Sequence, residues 1–193
     1  MNETLNTSID LAKYQDQLEV YEKEVISTWV DEDEDIELTA ERYKQLNNIM
    51  QPMYNLILSY SKYFSIRKDY GTGIELTMIE AHILQDITDP EYQTASALAK
   101  KWKRTRSAIS QIITKLENKQ LIERTANPSD RKSYDLKLTP LGQETALAHS
   151  RYDNVDIVKT HKKLFKKFSP VEMAAFFAIC ESYNEILEEN QNL

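Results

Sequence analysis

The stretch LIERTANPSDRKSYDLKLTPLG, residues Leu121 to Gly142, carries the pattern from which the rest of the chain is read. Leu121 to Ala126 has strand character, and Tyr134, Leu136 and Leu138 alternate with polar residues as a half-buried strand does. Between the two lies a polar turn, NPSDRKS, with Asp130, Arg131 and Lys132 side by side at its tip. Thr139-Pro140 then opens a helix, with proline at the first helical position, where its missing N–H costs nothing. A hairpin this short, with charge at its end, faces something other than the chain's own core.

Upstream, TRSAISQIITKLENKQL reads as a helix with Thr105 as its cap. Ala108, Ile109, Ile112, Ile113 and Leu116 fall on one face and are expected inside. Arg106, Ser107, Ser110, Gln111 and Lys115 fall on the other. TASALAKKWK before it is a shorter helix capped by Thr94, and LTMIEAHILQDI is a third, with Thr77 and Glu80 in capping-box spacing and Asp89-Pro90 beyond its end. Two short helices joined by a tight turn, then a strand pair with a charged loop, make a winged helix-turn-helix over residues 74–139.

Long helices flank this module. From Ser8 to Val30 the apolar positions Leu11, Tyr14, Leu18, Tyr21, Val25 and Trp29 form one stripe, and the charge run DEDEDIE follows as a solvated hinge, so residues 1–38 read as an N-terminal extension. Thr39 to Arg67 carries Tyr43, Leu46, Met50, Met53, Ile57, Tyr60 and Phe64 in the seam of a helix that packs on another helix. Pro52 is expected to kink or break it, and Gly71-Thr72-Gly73 to close it with a turn. The helix opened by Pro140 should run to Phe168. Ser169-Pro170-Val171-Glu172 caps the last one, whose Met173, Phe176, Cys180, Tyr183 and Leu187 again share a face. The expected fold is mostly α with a two- or three-stranded wing.

Composition agrees. Only three glycines and five prolines interrupt 193 residues, too few for a many-stranded β fold. The single cysteine excludes an intramolecular disulfide and a cysteine-cluster zinc site. The first residues lack a basic region followed by an apolar run, and the longest apolar run, Met173 to Cys180, is too short for a bilayer, so a cytoplasmic protein without a membrane partner is expected. No nucleophile elbow, phosphate loop or paired metal motif occurs, which argues against an enzyme and against a cofactor.

The net charge of −7 conceals a polarity. Thr94 to Lys137 holds eleven basic and four acidic residues, leaving thirteen basic and twenty-seven acidic elsewhere. A run of charge alone is only a solvated face. Here it coincides with a helix of major-groove width whose N-terminal end is positive, and with a hairpin tip that a minor groove would attract. Double-stranded DNA is therefore the expected partner. Arg106, Ser107, Ser110 and Gln111 would face bases, with Thr105 as cap and phosphate contact. Lys100, Lys101 and Lys115 would serve phosphates, and Arg131 and Lys132 would enter the minor groove, oriented by Asp130.

Thr94 to Gly142 resembles the DNA-binding half of MarR-type transcription regulators, in the TRSAISQIITKLE helix, the Asp-Arg wing and the L-x-L-T-x-x-G close at Leu136 to Gly142. The resemblance extends over roughly Thr39 to Asn190. It implies that residues 39–70 and 140–191 form a dimerisation region, and hence a homodimer that represses from a palindromic operator. Lys103 and Gln120 stand where the family often has glycines, Trp102 replaces an aliphatic residue, and Lys132 occupies a common arginine position. The alternative is a winged helix used for protein contacts without DNA readout.

The remaining candidates carry less. Tyr54, Tyr60, Tyr63, Phe64 and Tyr70 mark a cleft for a small-molecule effector, in the place the resemblance implies. His82, His149 and His161 pair with neither each other nor Cys180 at a metal spacing, so they read as surface or hydrogen-bonded residues, with no metal expected. Cys180 lies on an apolar stripe and reads as packing rather than a redox sensor. The acidic segment Asp31 to Asp35 could fold back on the basic block.

Overall fold

The computed structural model describes residues 14–26, 35–126 and 134–191. The start of the first expected helix, most of the acidic hinge, and the wing tip with Asp130, Arg131 and Lys132 lie outside the described residues. By their contacts the residues form two compact units, 53–156 and a second made of 1–52 with 157–193.

Residues 53–156 hold the buried core. Strand β1 (Arg67–Asp69) pairs antiparallel with β2 (Glu75–Thr77), Lys68 opposite Leu76. The turn between them is built by Asp69, whose Oδ1 accepts the N–H groups of Gly71, Thr72 and Gly73 at 2.8, 3.0 and 3.0 Å. Gly71 and Gly73 sit at φ +105° and +75°, where a side chain is strained. The turn was legible in the sequence; the strands were not, because three residues show no alternation.

Helix α3 (Met78–Asp86) starts at the expected capping box: Thr77 Oγ1 accepts the Glu80 N–H, and the Glu80 carboxylate accepts the Thr77 N–H. After a 3-10 turn (Pro90–Tyr92) come α4 (Ala95–Lys101), capped by Thr94, and α5 (Arg106–Asn118), capped by Thr105. Strands β3 (Ile122–Ala126) and β4 (Tyr134–Leu138) form the wing, with Arg124 opposite Leu136. The Leu136 N–H donates to the Gln93 carbonyl at 2.7 Å, tying the wing to the chain just before α4. Leu76, Ile83, Leu84, Leu98, Ile109, Ile113, Leu116, Leu121 and Leu136 are all fully buried. Of the face expected inside on α5, Ile109, Ile113 and Leu116 are buried, while Ala108 and Ile112 are half-buried.

The Leu136 to Gly142 close is a junction. The Thr139 N–H donates to Leu121 O at 3.0 Å and its hydroxyl to Gln120 O at 2.7 Å. The same hydroxyl accepts the Gly142 N–H at 3.0 Å and so caps α6 (Pro140–Leu164). Gly142 lies so close to the end of α5 that an added Cβ would stand 1.9 Å from Leu121 O. One threonine thus fastens the wing, the end of α5 and α6 together, and glycine is the residue that lets them meet.

In the other unit, α1 (Gln15–Val20) passes into a π-helical turn (Tyr21–Ile26), where Glu24 accepts from Arg42 Nε of α2 at 3.0 Å. Helix α2 (Ile36–Ser65) does not break at Pro52; thirty residues of helix carry the loss of one internal hydrogen bond. Helix α7 (Pro170–Gln191) begins at the expected box, Ser169 Oγ accepting the Glu172 N–H and Glu172 accepting the Ser169 N–H. Neither α2 nor the described part of α7 contains a buried residue, and Ile36, Leu38 and Tyr43 on the one, with Phe177, Ile179, Ile186 and Leu187 on the other, are exposed.

Candidate nucleic-acid interface

Helix α5 presents two different faces because its sequence alternates apolar pairs with short polar residues. Ile109, Ile113 and Leu116 anchor it in the core. On the opposite face Arg106, Ser107, Gln111 and Lys115 are exposed and Ser110 is half-buried, as expected. Thr105 Oγ1 accepts the Ala108 N–H at 3.2 Å and lies 3.0 Å from the Ser107 hydroxyl. The first turn therefore ends in a positive helix pole beside an arginine and two hydroxyls, a surface that hydrogen-bonds phosphates and base edges.

The chain leading into that turn is strained. Lys103 has φ +48° and Gln120, at the other end of α5, has φ +57°. Both are the positions where the resemblance placed glycines. Lys103 and Arg104 are exposed between α4 and α5, and the sequence reading gave neither a DNA role although both lie in the basic block.

The lysines divide. Lys100 is exposed. Lys101, expected on a phosphate, is held by Asp86 instead: its Nζ is 2.7 Å from Asp86 Oδ1 and 3.9 Å from the centre of the Tyr92 ring. That hydrogen bond raises its pKa above the usual lysine value. Trp102 Nε1 donates to the other oxygen of Asp86 at 2.8 Å, so one carboxylate clamps the end of α4. Lys115 stands 4.0 Å from the buried carboxylate of Glu80, which also takes Lys119 at 3.1 Å. Glu80 thus completes the α3 cap and holds the C-terminal end of α5.

Of the aromatic residues expected to line an effector cleft, Tyr63 and Tyr70 border a cavity with Lys68 and Asp153. It measures about 10 Å³, room for at most a water. Tyr60 packs on Tyr63 and Phe64, and Tyr54 and Tyr60 are exposed. Burial, with a hydrogen bond to Tyr152, pushes the Tyr63 hydroxyl up to about 12, and burial, with Asp153 nearby, does the same for Tyr70. Lys68 donates to the Tyr152 hydroxyl and lies over its ring.

His149 corrects the reading of the histidines as surface or hydrogen-bonded. It is 2% exposed, and neither ring nitrogen has a hydrogen-bond partner. Its Nε2 lies 3.3 Å from Asp153 Oδ2, out of hydrogen-bond alignment, and His82 Nε2 is 3.7 Å from the same oxygen. Burial lowers the pKa of His149, Asp153 opposing and His82 adding to the shift, which keeps the ring neutral. One signal was in the sequence: His149 and Asp153 are four apart on a helix. The third member comes from α3, which spacing along the chain does not show.

The MarR family model matches residues 76–134, from β2 to the first residue of β4. Over residues 76–134 the chain is thus similar to the MarR family. An uncharacterised HTH-type transcriptional regulator of Bacillus subtilis (strain 168), YhjH, is 31% identical over 84 residues. The match covers 44% of this chain and about half, 48%, of that relative. Among solved structures, the zinc-responsive MarR family member ZitR of Lactococcus lactis is 19% identical, covering 74% of this chain and 99% of its own at a TM-score of 0.56. FabT of Streptococcus pneumoniae, solved in complex with DNA, is 23% identical, covering 76% and 98% at 0.55. At these identities the structures establish the MarR winged-helix fold, mostly helical with a small antiparallel wing. Among the described residues no helix is long and apolar enough to cross a membrane.

Proposed function

We propose that the chain is a sequence-specific regulator of transcription that binds a palindromic double-stranded operator as a homodimer and represses from it. The observation that carries this reading is the exposed first turn of α5: Arg106 and Ser107, with Gln111 one turn on, stand opposite a buried apolar face on a helix capped for approach to phosphate. Arg106 is assigned to a base edge, guanine being the partner its fork fits. Ser107, Ser110 and Gln111 read neighbouring bases. Thr105, Lys100 and Lys115 hold phosphates, with Lys103 and Arg104 added to that set. Arg131 and Lys132 are assigned to the minor groove.

The exposed apolar residues of α2 and α7 support a second copy as the partner of that face, since a monomer seldom leaves so many large apolar side chains in water. Two recognition helices related by a twofold axis would then meet major grooves about 34–36 Å apart. The test is fluorescence anisotropy on duplexes selected from random sequence. A single enriched inverted repeat is expected, with a steep salt dependence. Arg106→Ala should relax preference at one position of each half-site, whereas Arg131→Ala and Lys132→Ala should weaken binding evenly and flatten the salt slope. Selection that enriches no sequence over many rounds rejects the reading in favour of a protein-contact module.

A further inference from the structure

We propose that the lysine face at the end of α6 receives the acidic first helix of a second copy, so that two charge clasps close the dimer. The proposal rests on the homodimer reading above and adds a surface that neither α2 nor α7 supplies. Lys159, Lys162, Lys163, Lys166 and Lys167 recur at i, i+3, i+4, i+7 and i+8, the spacing of a single helical face. All five are exposed, and among the described residues none of them makes an ion pair.

One or two lysines in a last turn serve the negative pole of a helix. Five exceed that need, because like charges three and four residues apart repel. The repulsion is relieved when an anion covers the face. On another side of the same helix end, His161 stacks on Phe177 of α7, the ring centres 6.2 Å apart and 23° from parallel. Its Nδ1 lies 2.8 Å from Ile157 O. The lysines are therefore presented on a packed helix end.

The complementary charge belongs to the same compact unit. Residues 14–41 hold eleven acidic side chains and a single basic one, Lys23. Asp16, Glu19 and Glu22 stand three apart along α1 and its π turn, all exposed. Beside them Leu18, Tyr21 and Val25 form an apolar stripe that is also exposed, and Ile157, Val158 and Val171 border the lysines in the same way. Within one chain the two surfaces do not pair: Glu24 joins the π turn to Arg42 of α2, and no ion pair links Asp16 or Glu22 to a lysine among the described residues. Two copies satisfy both, since a twofold axis brings the acidic helix of each to the lysine face of the other. Duplex DNA fits this face less well, because α7, which follows it, carries five acidic side chains and no basic one.

Charge reversal tests the clasp in the whole chain. Lys162→Glu with Lys166→Glu turns the basic surface acidic, and Asp16→Lys with Glu22→Lys turns the acidic surface basic. All four side chains are exposed, so each variant should keep the circular dichroism of wild type. Alone, each should show a dimer Kd at least about tenfold above wild type at low salt, a difference that shrinks at about 0.5 M salt. Mixed in equal amounts and followed by sedimentation velocity, the two should form a heterodimer about as tight as wild type, because both of its clasps then join opposite charges. A dimer indifferent to both reversals rejects the clasp and leaves the homodimer standing. Weakened variants that fail to rescue each other on mixing also overturn it, and rescue by all four changes in one chain then places the contact within a chain. A wild type that is monomeric throughout rejects the homodimer and the clasp with it. Lost duplex affinity in the lysine variant, at unchanged dimer strength, gives the face to nucleic acid instead.

Discussion

Gln120 adopts a left-handed conformation at φ +57° between α5 and β3, and its carbonyl accepts the Thr139 hydroxyl. A side chain in that region costs roughly 1–2 kcal/mol, and glycine gives back part of the gain in unfolded-state freedom. Gln120→Gly should therefore stabilise the protein by about 0.5–1 kcal/mol in urea denaturation; a loss of stability contradicts the strain. Gly142 is the opposite case. Its Cβ would meet backbone, not a movable side chain, so Gly142→Ala should cost about 3 kcal/mol, read in the same assay. Asp69 gives a pH signature. Three backbone N–H groups, that of Gly71 foremost, hold its carboxyl below the ordinary value of 3.8. A depressed folded pKa means that its contribution is complete above the unfolded value and fades as pH falls through the folded one. The stability gap between wild type and Asp69→Asn should thus be constant near neutrality and close only in strong acid. The left-handed positions were legible because glycine is the family's residue there. The reason for Gly142 was not, because Leu121 O reaches it only once α5, wing and α6 have packed.

At the level of elements, what the sequence shows are features whose partners lie within one turn. The capping boxes at Thr77 and Ser169 and the caps at Thr94 and Thr105 all form as read. Features that depend on distant partners were missed or misplaced. Strands β1 and β2 are three residues each and exist through their pairing. The ion pair of Lys101 with Asp86 was not legible, because the two lie fifteen residues apart along the chain. Glu80 was read as half of a capping box, yet it also binds Lys119 and approaches Lys115, so it sets where α5 sits on α3. Its side chain is 3% exposed while that of Lys119 is 24% exposed, so a buried carboxylate meets a half-buried lysine. Glu80→Ala should cost about 2–3 kcal/mol by removing the ion pair to Lys119, which keeps its bond to Glu75 O, and the carboxylate half of the α3 capping box. Thr105→Ala, which removes only a cap, should cost about 1 kcal/mol. Equal losses in chemical denaturation contradict the anchoring role of Glu80.

For the whole molecule, the buried core lies in residues 53–156, while α7 carries Phe177, Ile179, Ile186 and Leu187 exposed and buries none of its described residues. A helix of this composition contributes little to the fold of a single chain and, in the proposed homodimer, would contribute much to the contact with the other copy. Charges on that face should then separate assembly from folding. Ile179→Glu with Ile186→Glu places two carboxylates in the face, and burying them unpaired in a dimer costs several kcal/mol. Sedimentation equilibrium should find wild type at twice the mass of the 22.5 kDa chain and the double variant at the single-chain mass. Urea unfolding monitored at Trp102, in a Trp29→Phe background, should be close to unchanged once dimer dissociation is allowed for. Operator affinity should fall by about 100-fold or more, because one recognition helix no longer holds its partner at high effective concentration over the second half-site. The half-site sequence preference should survive, since Arg106 and Gln111 are untouched. A double variant that remains a dimer moves the interface elsewhere on the chain. One that is monomeric yet binds the full operator as tightly as wild type overturns the twofold reading of the site.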